Sequence, residues 1–294
     1  MIVRPMQNWF RMLFIWNGSV LLSIIPQLIV VAILSTIAAF THGRVFGEKI
    51  PLSPAPFTLF GLTLAIFLAF RNNASYARYT EARLLWGGLL ISSRILVSQT
   101  LSYLPQQIRV ADHLIAFAYV LKHQLRGTDP SADLVRCLGP ERAAELRGKQ
   151  YLGAAILGDI RTLLAPGPDA VRWMMDAQVN ELHKCLGGCE RIASTPIPFA
   201  YSVLLHRTVY AYCALLPFAL VDSTEFFTPL LCVFISYTLI ALEAIANEVA
   251  EPFTLAPNAL ALDTMTRTIE RSVLELCGRP IPDEIAPVRP YQYT

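Results

Sequence analysis

Apolar positions in this chain fall into long runs at its two ends, and helical periodicity fills the stretch between them. Residues 19–40 carry no charge and are interrupted by Pro26 and Gln27. At about 1.5 Å per residue, a helix of that length covers roughly 30 Å, one hydrocarbon core. The second run, 56–70, stops at Arg71. It is short for a span, which predicts a helix shielded from lipid by its neighbours and running straight on into the segment that follows. The third and fourth runs cover about 199–220 and 227–246.

Basic residues in short loops orient these spans. The connection 221–226 holds Asp222 and Glu225 and no Lys or Arg, so it is expected to face outward. Arg71, Arg78, Arg83 and Arg94 follow the second run and place its end in the cytoplasm. Four spans then leave both termini inside.

Residues 71–198 read as a cytosolic, mostly helical region. Apolar residues recur at helical spacing at Leu85, Leu89, Ile95 and Leu96, and again at Leu114, Phe117, Val120 and Leu121. Loops rich in Gly and Pro break the series at 127–131 and 165–169, and a further helix is predicted over 176–191. The tail, 251–294, contains Pro252, Pro257, Pro280, Pro282, Pro287 and Pro290. It is expected to be extended apart from a short helix near 263–276. No strand pattern or internal repeat stands out. The fold class is all-α, with residues 1–294 as one domain.

Composition agrees with a membrane setting. Hydrophobic residues make up 54% and charged residues 16%, whereas a soluble surface needs about a quarter charged. The net charge of +2 is scattered rather than striped, so no nucleic-acid partner is assigned. The apolar N-terminal stretch is too long for the core of a cleaved signal peptide. Six cysteines form no CxxC pair. Cys185 and Cys189 lie one helical turn apart near His183, either the start of a metal site or ordinary reduced thiols. No metal or cofactor is assigned.

The second run sorts into two stripes. Gly61, Ala65 and Ala69 are small and allow close helix approach; Leu62, Ile66 and Phe70 are bulky. Several copies packed around an axis could aim the bulky stripe at it, making apolar rings that gate by dewetting. Ordinary helix packing accounts for the same spacing. Next comes FRNNASYARYTEARLLWG at 70–87. Asn72, Asn73 and Ser75 at a membrane border can line a wet vestibule. Arg78 and Arg94 are each candidate partners for Glu81.

That stretch resembles the bestrophin family, whose bacterial members carry a segment like FRNNASYxRxxEARxLWG. Residues 188–201 (GCERIASTPIPFAY), 205–210 (LHRTVY), and Asn247-Glu248 followed by Pro252-Phe253 are also similar to it. The resemblance implies a homopentamer in a bacterial inner membrane, with four spanning helices per subunit around one axial pore. It implies that Leu62, Ile66 and Phe70 form the pore neck, and that a cytosolic aperture matches 164–168, with Leu164, Gly167 and Pro168 as its candidate residues. Gly167 or Pro168 would stand where an apolar side chain is expected, which argues against a tight apolar second gate. Eukaryotic members hold calcium in an acidic run after the Pro-Phe pair. Here residues 254–263 supply one carboxylate, Asp263, too few for a calcium clasp.

The function implied is passive flux of monovalent ions. Eukaryotic members pass anions such as chloride and studied bacterial ones look more cation-permeable, so the reading leans towards cations. His206 and Arg207, inside the third run, are expected to pair with Glu243 or Glu248. A membrane-bound enzyme would have to use His206, His183, Cys185 and Cys189, which lack a specific metal spacing. A coupled transporter would need inverted repeats, which are not seen.

Overall fold

A computed structural model describes residues 1–5, 8–45, 48–49, 52 and 54–294. Apart from a two-residue strand pair, β1 (Arg44–Val45) against β2 (Glu48–Lys49), the regular elements described are helical. In chain order they are α1 (Trp9–Met12), α2 (Leu21–Phe40), α3 (Pro54–Tyr103), α4 (Arg109–Arg126), α5 (Ser131–Leu138), α6 (Pro140–Arg147), α7 (Leu152–Leu164), α8 (Asp169–Ser194), α9 (Phe199–Thr224), α10 (Thr228–Ala250) and α11 (Leu262–Leu276).

The helices form two compact units. The first comprises Met1–Arg4, Tyr79–Thr195 and Pro252–Thr294; the second comprises Pro5–Arg78 and Pro196–Glu251. The helix α3 is continuous over 50 residues and contributes to both.

In the first unit, α4 is the centre, buried from Val110 to Lys122 apart from Asp112. A helix apolar nearly all round must be enclosed, and α5, α7, α8 and α11 pack on it. Asp112 stands in its first turn and His123 and Arg126 in its last, matching the helix dipole. Gly127 ends it at φ +63°, a left-handed turn that a side chain would strain. Trp86, Leu89 and Leu96 of α3 join this core. Glu270 of α11 is buried among it and accepts hydrogen bonds from Tyr119 Oη at 2.6 Å and Arg136 Nη1 at 2.5 Å. Burial, then the bond to Glu270, pushes the Tyr119 phenol well above its usual range, so it stays a donor. The two chain ends pair here: the Met1 amino group donates to Tyr293 O at 2.5 Å and Tyr293 N–H to Met1 O at 2.9 Å.

In the second unit α2, α9 and α10 pack on one another. Among the described residues, three stretches are long and apolar enough to cross a membrane: Leu21–Phe40, Ala55–Tyr103 and Phe199–Ala250. The last holds both α9 and α10, which part at Glu225, where φ is +42°. Pro229 sits in the first turn of α10, where its missing N–H leaves no helical bond unmade. The third and fourth runs therefore extend four residues beyond their predicted ends.

Candidate functional site

Residues four apart on a helix differ by about 40° around its axis, so Leu62, Ile66 and Phe70 form a row on α3. They are 61%, 49% and 67% exposed. Leu64 and Leu68, each about 200° round from the row member two residues before it, are buried in the second unit's core with Leu205, Val209 and Tyr212. The subunit thus packs on one side of α3 and leaves the bulky row outside. The small stripe divides: a Cβ on Gly61 would lie 2.8 Å from Tyr212 Oη, so Gly61 serves packing within the chain, while Ala65 and Ala69 are exposed.

Asn73 continues the exposed row beyond Phe70, and Asn72 beside it is half-buried. Ser75 departs from the vestibule expected for it. It lies about 140° round from Phe70 and is 1% exposed, its Oγ without a partner. Its hydroxyl faces the interior of its own unit.

Arg71, next to Phe70, points inward and ties three helices together. Its Nη1 donates to Ser202 Oγ of α9 at 2.7 Å and its Nη2 to Asn247 Oδ1 of α10 at 2.6 Å. Nothing in the hydrophobic pattern singled out this cluster; the only hint was that Arg71 and Asn247 each close an apolar run. His206 Nδ1 lies 2.9 Å from Glu243 Oε1, one of the two acids expected to hold it, and its ring lies 4.3 Å from that of Tyr210, tilted by 43°. Glu81 pairs with Arg191 rather than within its own helix, and Arg78 Nε donates to Ala250 O at 3.0 Å.

The aperture residues fall out differently from expectation. Leu164 belongs to the first unit's core, and a Cβ on Gly167 would meet Leu104 Cδ1 at 3.0 Å, so both face inward. Pro168 is exposed, as are Ala165 and Pro166. The reason is the periodicity of α7, where Ile156, Leu157, Ile160 and Leu164 share one buried face.

Burial pushes the Cys185 thiol up to about 11 and the Cys189 thiol up to about 12, which keeps both protonated and poor metal ligands. His183 Nδ1 is bonded to Val179 O at 3.0 Å. Among the described residues, no three His, Cys, Asp or Glu side chains are grouped to hold a metal ion. Asp263 bridges Lys122 at 3.1 Å and Arg126 at 2.5 Å. Burial alone would raise its carboxyl, but Arg126 and Lys122 together hold it below the usual carboxylate range. That carboxylate is committed to two cations.

An exposed apolar row on a long helix, within apolar stretches of spanning length, fits the family whose model matches residues 1–275, described as bacterial/fungal bestrophin protein. The chain belongs to this bestrophin family. It is 44% identical to the voltage-dependent anion channel-forming protein of Ralstonia nicotianae, over 97% of this chain and 98% of that one. It is 40% identical to the voltage-dependent anion channel-forming protein of Escherichia coli K12, over 100% of both. The crystal structure of a bacterial bestrophin homologue from Klebsiella pneumoniae superposes with a TM-score of 0.85 at 43% identity, covering 87% of this chain and 99% of that one. These relatives are named as channel-forming proteins, not as enzymes, and the chain is a membrane protein.

Proposed function

We propose that this chain is the subunit of a homopentameric channel in the bacterial inner membrane that passes monovalent ions passively. The observation that carries the reading is the row Leu62, Ile66 and Phe70, bulky and apolar, turned away from the packing of its own subunit. Five copies facing one axis would close those side chains into stacked rings, a neck that gates by dewetting. Asn73 and, beside it, Asn72 would wet the mouth of that neck. Any second narrowing near 164–168 would be lined by Ala165, Pro166 and Pro168.

Chain tracing supports four crossings per subunit. The chain leaves the first unit after Arg4 and returns at Tyr79, then leaves after Thr195 and returns at Pro252. Each excursion begins and ends in the same compact unit, so each crosses an even number of times. This supports α2 with the front of α3 as one pair and α9 with α10 as the other, both termini being cytoplasmic. Residues 1–294 then act as one channel domain, the two units being its membrane and cytosolic parts.

An apolar neck does not select charge by itself. Our reading leans to cations such as sodium, while the relatives' names favour anions. Recording in planar bilayers under asymmetric sodium chloride decides, because the reversal potential takes the sign of the permeant ion. In the same recordings Ile66→Ala and Phe70→Ala should raise conduction several-fold, and unchanged currents in both would rule out the neck. Native mass measurement should give five subunits.

A further inference from the structure

The segment that leads into α2 carries six large apolar side chains within eight residues: Trp9, Phe10, Met12, Leu13, Phe14 and Trp16. Each is between 52% and 75% exposed, and α1 buries no residue of its own. The backbone here is bonded to itself, Met12 N–H to Asn8 O at 3.2 Å, Phe14 N–H to Arg11 O at 3.2 Å and Ile15 N–H to Met12 O at 3.4 Å. A turn closed in this way can enter a medium poor in water, whereas an apolar patch left in water marks a contact surface. At helical spacing the six side chains spread over more than half of the circumference, and Asn8 and Arg11 occupy the rest. One protein contact buries a narrower stripe. Aromatic rings over a wide arc, with a cation opposite, suit the headgroup layer of a bilayer. The segment also leads straight into the membrane, since α2, the first stretch of spanning length, begins at Leu21.

Charge says which lipid. Residues 1–47 contain no Asp or Glu. Arg4 is engaged, its guanidinium 4.8 Å from the centroid of the Tyr291 ring. The Arg11 side chain is exposed and, among the described residues, has no hydrogen bond or ion pair. An uncompensated guanidinium in the headgroup layer draws the phosphate of a lipid with net negative charge. We infer that residues 9–16 lie in the headgroup layer and hold an anionic phospholipid there, with its phosphate at Arg11. Such binding requires only that the chain sits in a membrane and stands apart from ion conduction.

The test uses the full chain in phosphatidylcholine vesicles doped, at equal mole fraction, with brominated phosphatidylglycerol or brominated phosphatidylcholine, the bromines near the headgroup end of the acyl chain. Bromine quenches nearby indole fluorescence. Trp86 is buried and Trp173 belongs to the first unit, and subtracting the signal of the double variant Trp9→Phe, Trp16→Phe leaves Trp9 and Trp16 alone. Both variants used change exposed side chains and leave the helix packing untouched. Brominated phosphatidylglycerol should quench the pair about threefold more efficiently than brominated phosphatidylcholine. Arg11→Gln should make the two lipids equal, and lipids brominated at the chain ends should quench less than either. No quenching by any of them, as when a second copy covers the segment, overturns the site. Stronger quenching from the chain ends overturns the placement in the headgroup layer. Equal quenching by the two lipids in the wild type, or a preference untouched by Arg11→Gln, overturns the phosphate at Arg11. Whether the same protein conducts ions changes none of these readings, so the channel reading can fail while the site stands.

Discussion

The two halves of α3 differ in which side chains they leave outside. In its front half, up to Arg78, Leu64 and Leu68 are buried along with Arg71 and Ser75, and a row of bulky apolar side chains stands outside (Leu59, Leu62, Ile66, Phe67, Phe70). In its back half Trp86, Leu89, Leu96 and Val97 are buried with Ser92 and Ser93, and Arg83, Arg94 and Ser98 stand on the exposed face beside Leu84 and Ile91. No break in the backbone separates the two behaviours. The lesson is that the direction of burial reports the surroundings. Water drives apolar groups inward, whereas lipid or an apolar neck tolerates them outside and leaves polar groups to seek one another within.

The sharpest way to break this contrast is to delete one ring from each half. Trp86→Ala should cost about 3–5 kcal/mol by opening a cavity in a closed core, read as a large fall in the unfolding midpoint of detergent-solubilised protein. Phe70→Ala should stay within about 0.5 kcal/mol, as for an exposed position. A loss at Phe70 matching that at Trp86 would end the comparison. Next in size is Glu270→Ala, which strips Tyr119 and Arg136 of their shared acceptor and should cost about 2–3 kcal/mol. A smaller, pH-dependent effect comes from His113, whose Nδ1–H donates to Arg109 O at 2.9 Å. Burial holds this imidazole below its ordinary value, so the unfolded chain binds the proton more readily and stability rises with pH. The contribution is present above about pH 6.5 and is lost as pH falls through the folded value; His113→Gln should flatten that slope in thermal unfolding. Smallest of all, Arg191→Ala removes an exposed pair with Glu81 and should shift stability by less than about 1 kcal/mol.

Much of this was legible in the chain. Apolar runs of spanning length announce α2, α9 and α10 directly. The expectation that the second run continues straight into the helix after it is met by unbroken α3. The periodicity at Leu114, Phe117, Val120 and Leu121 marks α4, and α11 begins within one residue of its expected start. The helices α5 and α6 were missed because eight residues each give too few turns for a period to show; Gly127 and Gly139, both at positive φ, were the available signal. The strand pair at 44–49 is too short to pattern at all. Among site residues, the row 62, 66 and 70 was readable from spacing, and the same arithmetic, carried five residues further, puts Ser75 on the other side of the helix from it. Leu164 could likewise have been assigned inward from its register with Ile156 and Ile160. The Arg71 cluster was not readable, since its partners lie 131 and 176 positions away along the chain.

The stitching of Met1 to Tyr293 has an engineering consequence. With Met1 and the next-to-last residue already hydrogen-bonded, a linker of a few amino acids would close the backbone into a circle. Cutting that circle at the Gly127 turn would give a permuted chain that starts and stops in a polar loop, with every helix intact and in its original neighbourhood.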